Sequence, residues 1–159
     1  MTVIFRRNDE LELNLFEFTG AIALGELKAI ATFQADKPDI LGSDTFNLVR
    51  ADATFSAINF EMLDALFAHY KFLFAPLRLE IFRRVVWYCE IDGPKPHVTH
   101  WLSLDAKEAM SSTVKQCQSF AEAADWLLLM DAERAKLETG EGFTEIARFH
   151  VPPEPARAL

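Results

Sequence analysis

The stretch Arg83-Arg84-Val85-Val86-Trp87-Tyr88-Cys89, followed by Asp92-Gly93-Pro94, decides the fold. Its β-branched and aromatic residues are those of a buried strand, and Asp-Gly-Pro is the turn chemistry that stops one. Upstream the period changes. Asn59 can cap a helix reaching about Phe74, in which Phe60, Leu63, Phe67, Tyr70 and Phe74 share a face. Met62, Leu66 and Leu73 widen that stripe beyond what packing on one sheet needs. Before it, the short, partly β-branched run 45–51 ends at Asp52 and reads as another strand. Two strands joined through a helix can lie parallel in one sheet, because a parallel pair needs such a crossover.

Working outward, residues 2–7 and 11–18 read as a hairpin, with Leu11, Leu13 and Leu15 alternating and Asn8-Asp9 between the runs. From Ile22 to Phe33, Leu24, Leu27 and Ala31 fall on one helical face, with Glu26 and Lys28 away from it. A loop carrying Pro38, Gly42 and Ser43 follows. Residues 96–110 favour a helix, since Val98, Leu102, Ala106 and Ala109 recur on one face. Val98, His100, Leu102 and Leu104 also share one face of a strand, so that reading stays open. Residues 113–118 read as a short strand. Ser119 with Glu122 forms a capping box that starts a helix with Ala123, Ala124, Leu127 and Leu128 on its core side, running to about Glu138 before Gly140. Residues 143–151 read as an extended arm, and Pro152-Pro153-Glu154-Pro155 as a loose tail. The fold class is α/β, one mixed sheet with helices packed on it, with the domain over 1–139 and an arm and tail over 140–159.

A chain of 159 residues, 50% hydrophobic and 25% charged, is sufficient for one core. The 14 phenylalanines against 2 tyrosines bring apolar area with no polar handle, so either the core is rich in rings or some apolar surface is kept for a ligand. A net charge of −8 repels phosphate backbones and argues against nucleic acid as a partner. Cys89 and Cys117, with no CxxC spacing, fit free thiols in a reducing compartment. The N-terminus lacks the apolar stretch of a signal peptide and no apolar run is long enough for a transmembrane segment, so a cytoplasmic location is expected.

The hairpin followed by Phe18-Thr19-Gly20, the strand ending Leu48-Val49-Arg50-Ala51-Asp52, the Phe-rich helix, Arg83-Arg84-Val85-Val86 and Phe120-Ala121-Glu122-Ala123-Ala124-Asp125-Trp126-Leu127 occur in an order and spacing that resemble the SpoIIAA-like family of the STAS-domain superfamily. The resemblance covers about residues 3–130. It implies a four- or five-stranded sheet flanked by helices and a binding role, toward a protein partner or an apolar ligand. Phosphorylated members carry Asp-Ser-Ser-Gly at the start of the helix after the aspartate-ended strand. Here Asp52-Ala53-Thr54-Phe55-Ser56 lacks the Ser-Ser-Gly run; Thr54 and Ser56 are the nearest hydroxyls, Ser56 being the candidate phospho-acceptor, and the departure argues against a phosphorylation switch.

No Gly-rich phosphate loop, GxSxG elbow or HExxH pair occurs, and no catalytic residue is assigned. His97 and His100 would share a helical face, but no third ligand is specified by spacing, so neither a metal nor a cofactor is expected. Cys89 within an aromatic strand reads as a small buried hydrophobe. Asp52, at a strand end, either faces a ligand at the carboxyl edge or caps a turn. The sharper candidate is the Phe-rich helical face: Phe60, Leu63, Phe67, Phe72 and Phe74, with Trp101 from the 96–110 segment, as a surface for an apolar small molecule, a lipid or peripheral membrane contact. The alternative is a protein-protein module, with a homodimer formed through residues 140–159; an unrecognised hydrolase or transferase is the lesser one.

Overall fold

The computed structural model describes residues 2–77, 83–108 and 113–151. In chain order these form β1 (Thr2–Asn8), β2 (Leu13–Thr19), α1 (Leu24–Asp36), β3 (Asp44–Val49), α2 (Phe60–Phe74), β4 (Arg84–Cys89) and α3 (Lys95–Glu108). There follow β5 (Thr113–Cys117), α4 (Phe120–Trp126), α5 (Asp131–Thr139) and β6 (Thr144–Phe149), and 3-10 turns occupy Pro38–Gly42 and Ala75–Leu77. One mixed sheet takes the strands in the order β5-β4-β3-β2-β1-β6. Strands β2 to β5 run parallel, joined by α1, α2 and α3, while β1 pairs antiparallel with both β2 and β6.

The fold is therefore α/β, with a sixth strand beyond the four or five expected. That strand is Thr144–Phe149, which belongs to the sheet rather than to an arm outside it. Its sequence hid this, because it packs at an edge: of its six residues only Phe149 is buried, so no alternation of apolar and polar residues marks it. The Pro-rich tail at 152–155 lies outside the described residues.

Parallel pairing places residues in rows across the sheet, with Phe16, Asn47 and Trp87 in one row and Leu15, Phe46 and Val86 in the next. Adjacent rows point to opposite faces. One face, with Phe16, Phe18, Val49 and Cys89, is covered by α1, α2 and α3. The other, with Leu13, Leu15, Phe46, Leu48, Val86 and Cys117, is covered by Ala123, Ala124, Leu127 and Leu137 of the α4–α5 region.

Local signals explain most boundaries. Asn59 Oδ1 accepts the Met62 amide at 2.8 Å, so α2 starts where its cap predicts. Residues 95–108 take the helical of the two readings open to them. Ser119 Oγ accepts the Glu122 amide at 3.1 Å, while Glu122 Oε2 reaches back to the Gln118 amide at 2.9 Å. The single helix expected from Ser119 to Glu138 is instead two. The chain turns between Trp126 and Asp131 with Leu128 in the left-handed region at φ 58°, which brings Leu137 into the same core as Leu127 and leaves Leu128 exposed. Gly140, at φ 77°, ends α5 in the conformation that favours glycine.

Glu26 is a second correction. Assigned to the polar side of α1, it is fully buried, and its Oε2 accepts the Ala23 amide at 3.1 Å. A carboxylate at the third position of a helix satisfies an otherwise unpaired amide there, and helical periodicity does not show this.

Candidate functional site

Between the sheet and α1, α2 and α3 lies a cavity of about 140 Å³. Its floor is the alternating set Phe16 and Phe18 of β2, Thr45 and Asn47 of β3, and Val85 and Trp87 of β4. Its roof is α2, through Leu63, Leu66, Phe67, Tyr70 and Phe74, one helical stripe. Leu27, Ile30 and Gln34 of α1 close one side, and His97, Val98, Trp101 and Asp105 of α3 the other.

Rings meet around this space at several angles. Trp101 lies 5.3 Å from Phe67 and 5.5 Å from Tyr70 between centroids, both near perpendicular. On the floor Phe18 lies 5.3 Å from Trp87 and 6.1 Å from Phe55. Such contacts are favourable, Phe18 and Trp87 lying only 30° from parallel, but flat rigid rings interdigitate less closely than branched aliphatic side chains do.

The lining is not uniformly apolar. Gln34, Thr45, Asn47 and Asp105 are buried polar side chains on this wall, and Arg83 and Tyr70 are partly buried beside them. Arg83 Nη1 donates to the Leu41 carbonyl at 3.3 Å. Burial lowers the guanidinium below its ordinary value, and Asp105, Tyr70 and Asp44 oppose that through their charge. Burial also pushes the Tyr70 hydroxyl well up, partly offset by Arg83, so it stays protonated at neutral pH and able to donate.

His97 and His100 share a face of α3 and take different partners. His97 Nε2 donates to the Ile58 carbonyl at 2.7 Å, which in the neutral ring leaves Nδ1 as an acceptor, and that atom has no hydrogen-bond partner. His100 Nε2 meets Asp64 Oδ1 at 2.7 Å, and its ring stacks on Phe60 at 4.4 Å. These contacts tie α3 to the start of α2. Among the described residues no three His, Cys, Asp or Glu side chains gather as a metal site would require.

Of the ring-bearing and apolar candidates, the cavity takes in Leu63, Phe67, Phe74 and Trp101 and leaves out Phe60 and Phe72, which are 44% and 76% exposed. Both belong to the Phe-rich helix but lie off its buried stripe. Ser56 is exposed, its amide donating to Thr54 Oγ1 at 3.1 Å. Asp52 is exposed in the turn after β3. Cys89 and Cys117 are free, buried and on opposite faces of the sheet. Burial pushes each thiol up to about 11, which keeps both protonated and poorly nucleophilic at neutral pH.

Sequence reasoning missed Gln34, Thr45, Asn47, Arg83 and Asp105 as site residues. One signal was available: Val98, Trp101 and Asp105 follow the i, i+3, i+7 spacing, which puts a carboxylate on an apolar helical face. Among the described residues no helix is long and apolar enough to cross a membrane. In comparison with known proteins the chain matches no family model, no curated protein and no solved structure.

Proposed function

We propose that this domain is a non-enzymatic binding module that encloses a small, largely apolar molecule between its sheet and the α1–α3 layer. The observation that carries the reading is the cavity of about 140 Å³ roofed by the stripe of α2 and edged by buried polar groups. Pockets for ligands combine an apolar wall with a few placed polar groups, and this wall has that composition. The SpoIIAA-like relationship is part of the same proposal, supported by the α/β order of elements; the ligand argument does not depend on it. Size narrows the ligand. Pockets for drug-sized molecules are about 300–1,000 Å³, so at about 140 Å³ this space matches a compact ring.

Trp87 and Trp101 line the cavity and Trp126 lies on the opposite face, beside Lys115. Intrinsic fluorescence of a Trp126→Phe protein therefore reports on the cavity alone. Saturable change on adding toluene, with native mass spectrometry showing a co-purified small molecule, is the expected result. If neither toluene nor any other single-ring compound gives a saturable change, the reading fails.

A second reading concerns β6, whose outer edge pairs with no strand among the described residues. Its Ile146 is 52% exposed between Glu145 and Arg148. Antiparallel pairing of two copies about the Ile146–Ala147 bond would set each Glu145 opposite the partner's Arg148, opposite charges that favour that register. Light scattering of the Ile146→Lys protein is the test: a dimer in wild type that becomes monomeric supports it, and a wild-type monomer removes it.

A further inference from the structure

Polarity within the cavity is sorted along the strands. Thr45 is near the start of β3, and Arg83 immediately precedes β4. Gln34 is in the last turn of α1, and Tyr70 and Asp105 are in the later halves of α2 and α3. Because each crossover helix runs back against the strands it joins, these groups converge at the amino end of the parallel strands. Phe18, Phe55, Leu63 and His97 come from the opposite end. A ligand lying along the strands therefore meets mainly rings at one end, where the His97 Nδ1 is the one unpartnered acceptor among the described residues there, and a cluster of hydrogen-bonding groups at the other.

Charge restricts what the polar end accepts. Arg83 and Asp105 border the same space and offset one another. Asp44 is engaged elsewhere: its Oδ1 accepts the Arg84 amide at 2.7 Å and its Oδ2 lies 3.5 Å from Arg84 Nη1. An anionic or cationic ligand would add an uncompensated charge to this partly desolvated wall, at a cost that a neutral group avoids. Of the remaining groups, Gln34, Asn47 and Tyr70 can each donate and accept, while the Thr45 hydroxyl donates to the Ser43 carbonyl at 3.5 Å and offers its oxygen as an acceptor.

We infer, resting on the cavity reading above, that the ligand is a neutral single-ring molecule bearing one substituent that both donates and accepts a hydrogen bond, such as a phenol or a primary aromatic amide. The volume agrees, since a cavity of roughly 150 Å³ takes one benzene ring. The ring lies against Phe18, Phe67, Trp87 and Trp101, and the substituent meets Asn47, Thr45 and Tyr70.

The test is a fluorescence titration of the Trp126→Phe protein at neutral pH with phenol, benzamide, toluene, benzoate and benzylamine, repeated in a Tyr70→Phe background. Phenol and benzamide are expected to bind at least about tenfold more tightly than benzoate and protonated benzylamine. Tyr70→Phe should weaken phenol several-fold and leave toluene unchanged. Benzoate or benzylamine binding as tightly as phenol, or a phenol affinity indifferent to Tyr70→Phe, overturns the ligand class while the cavity reading stands. Failure of every compound, toluene included, overturns both.

Discussion

The two faces of the sheet are packed with different materials. Under α4 and α5, the aliphatic rows of Leu13, Leu15, Leu48 and Val86 meet Ala123 and Ala124, small residues that let the helix come close. Under α1, α2 and α3, rings meet rings, and Gln34, Thr45, Asn47 and Asp105 are buried among them. Rings occur on both faces, since Phe46 and Tyr88 each meet Phe120 edge to face under α4; the cavity face adds buried polar neighbours to its rings. The difference teaches that the phenylalanines are distributed unevenly, with more rings on the cavity face than behind it.

Truncating a ring on each face should separate them most. Phe46, fully buried on the filled face, should cost about 3–5 kcal/mol as Phe46→Ala. Phe67→Ala should cost less than half of that, since part of its ring already faces free space and has fewer contacts to lose. Equal losses in urea unfolding would erase the distinction.

The cysteines, one behind each face, sharpen the comparison through pH. Both thiols sit at about 11 in the fold against an ordinary 9.0, chiefly from burial, with Glu122 and Asp125 adding to it at Cys117. A raised acid is favoured in its protonated form by folding. The contribution is therefore complete below pH 9.0 and is lost as pH rises toward about 11, on the order of 2 kcal/mol for each thiol. Cys89→Ala and Cys117→Ala should each flatten the alkaline fall in stability. If only one does, only that face excludes water.

Adding volume gives the smallest effect. Ala124→Leu should cost about 1–2 kcal/mol by overpacking the filled face. Val98→Leu, which extends into the cavity, should change stability by less than ~0.5 kcal/mol. Thermal melts of the two proteins check this directly, and a Val98→Leu loss matching that of Ala124→Leu would mean the space cannot accept a methylene.

The filled half was the more legible in sequence. Its helix announces itself by Ser119 and Glu122, and its core by Ala123, Ala124 and Leu127, all local features. Even there the turn at Leu128 carried no signal, because a non-glycine residue at φ 58° is held by the packing of Leu127 and Leu137 on either side of it. In the cavity half, Asn59 and the stripe of α2 were readable, while Phe60 and Phe72 were not separable from it, since a wide stripe does not say which flank is wet. The polar end was illegible for a different reason. Gln34, Asn47 and Asp105 come from α1, β3 and α3, and Arg83 from the residue before β4, so only the fold brings them together.

The pairing of Val3 with Phe149 has a consequence for how the chain is made. Strand β1 is synthesised first and its outer neighbour β6 last among these elements, so β1 waits with a bare hydrogen-bonding edge while everything between is translated. Such a late, long-range closure slows folding and exposes an edge on which other chains can pair. Arg6 and Arg7 sit on that strand. Both are already paired within the β1–β2 hairpin, Arg6 with Glu17 at 2.8 Å and Arg7 with Asp9 at 2.9 Å, so their charges are largely neutralised and the edge stays open to pairing until β6 arrives.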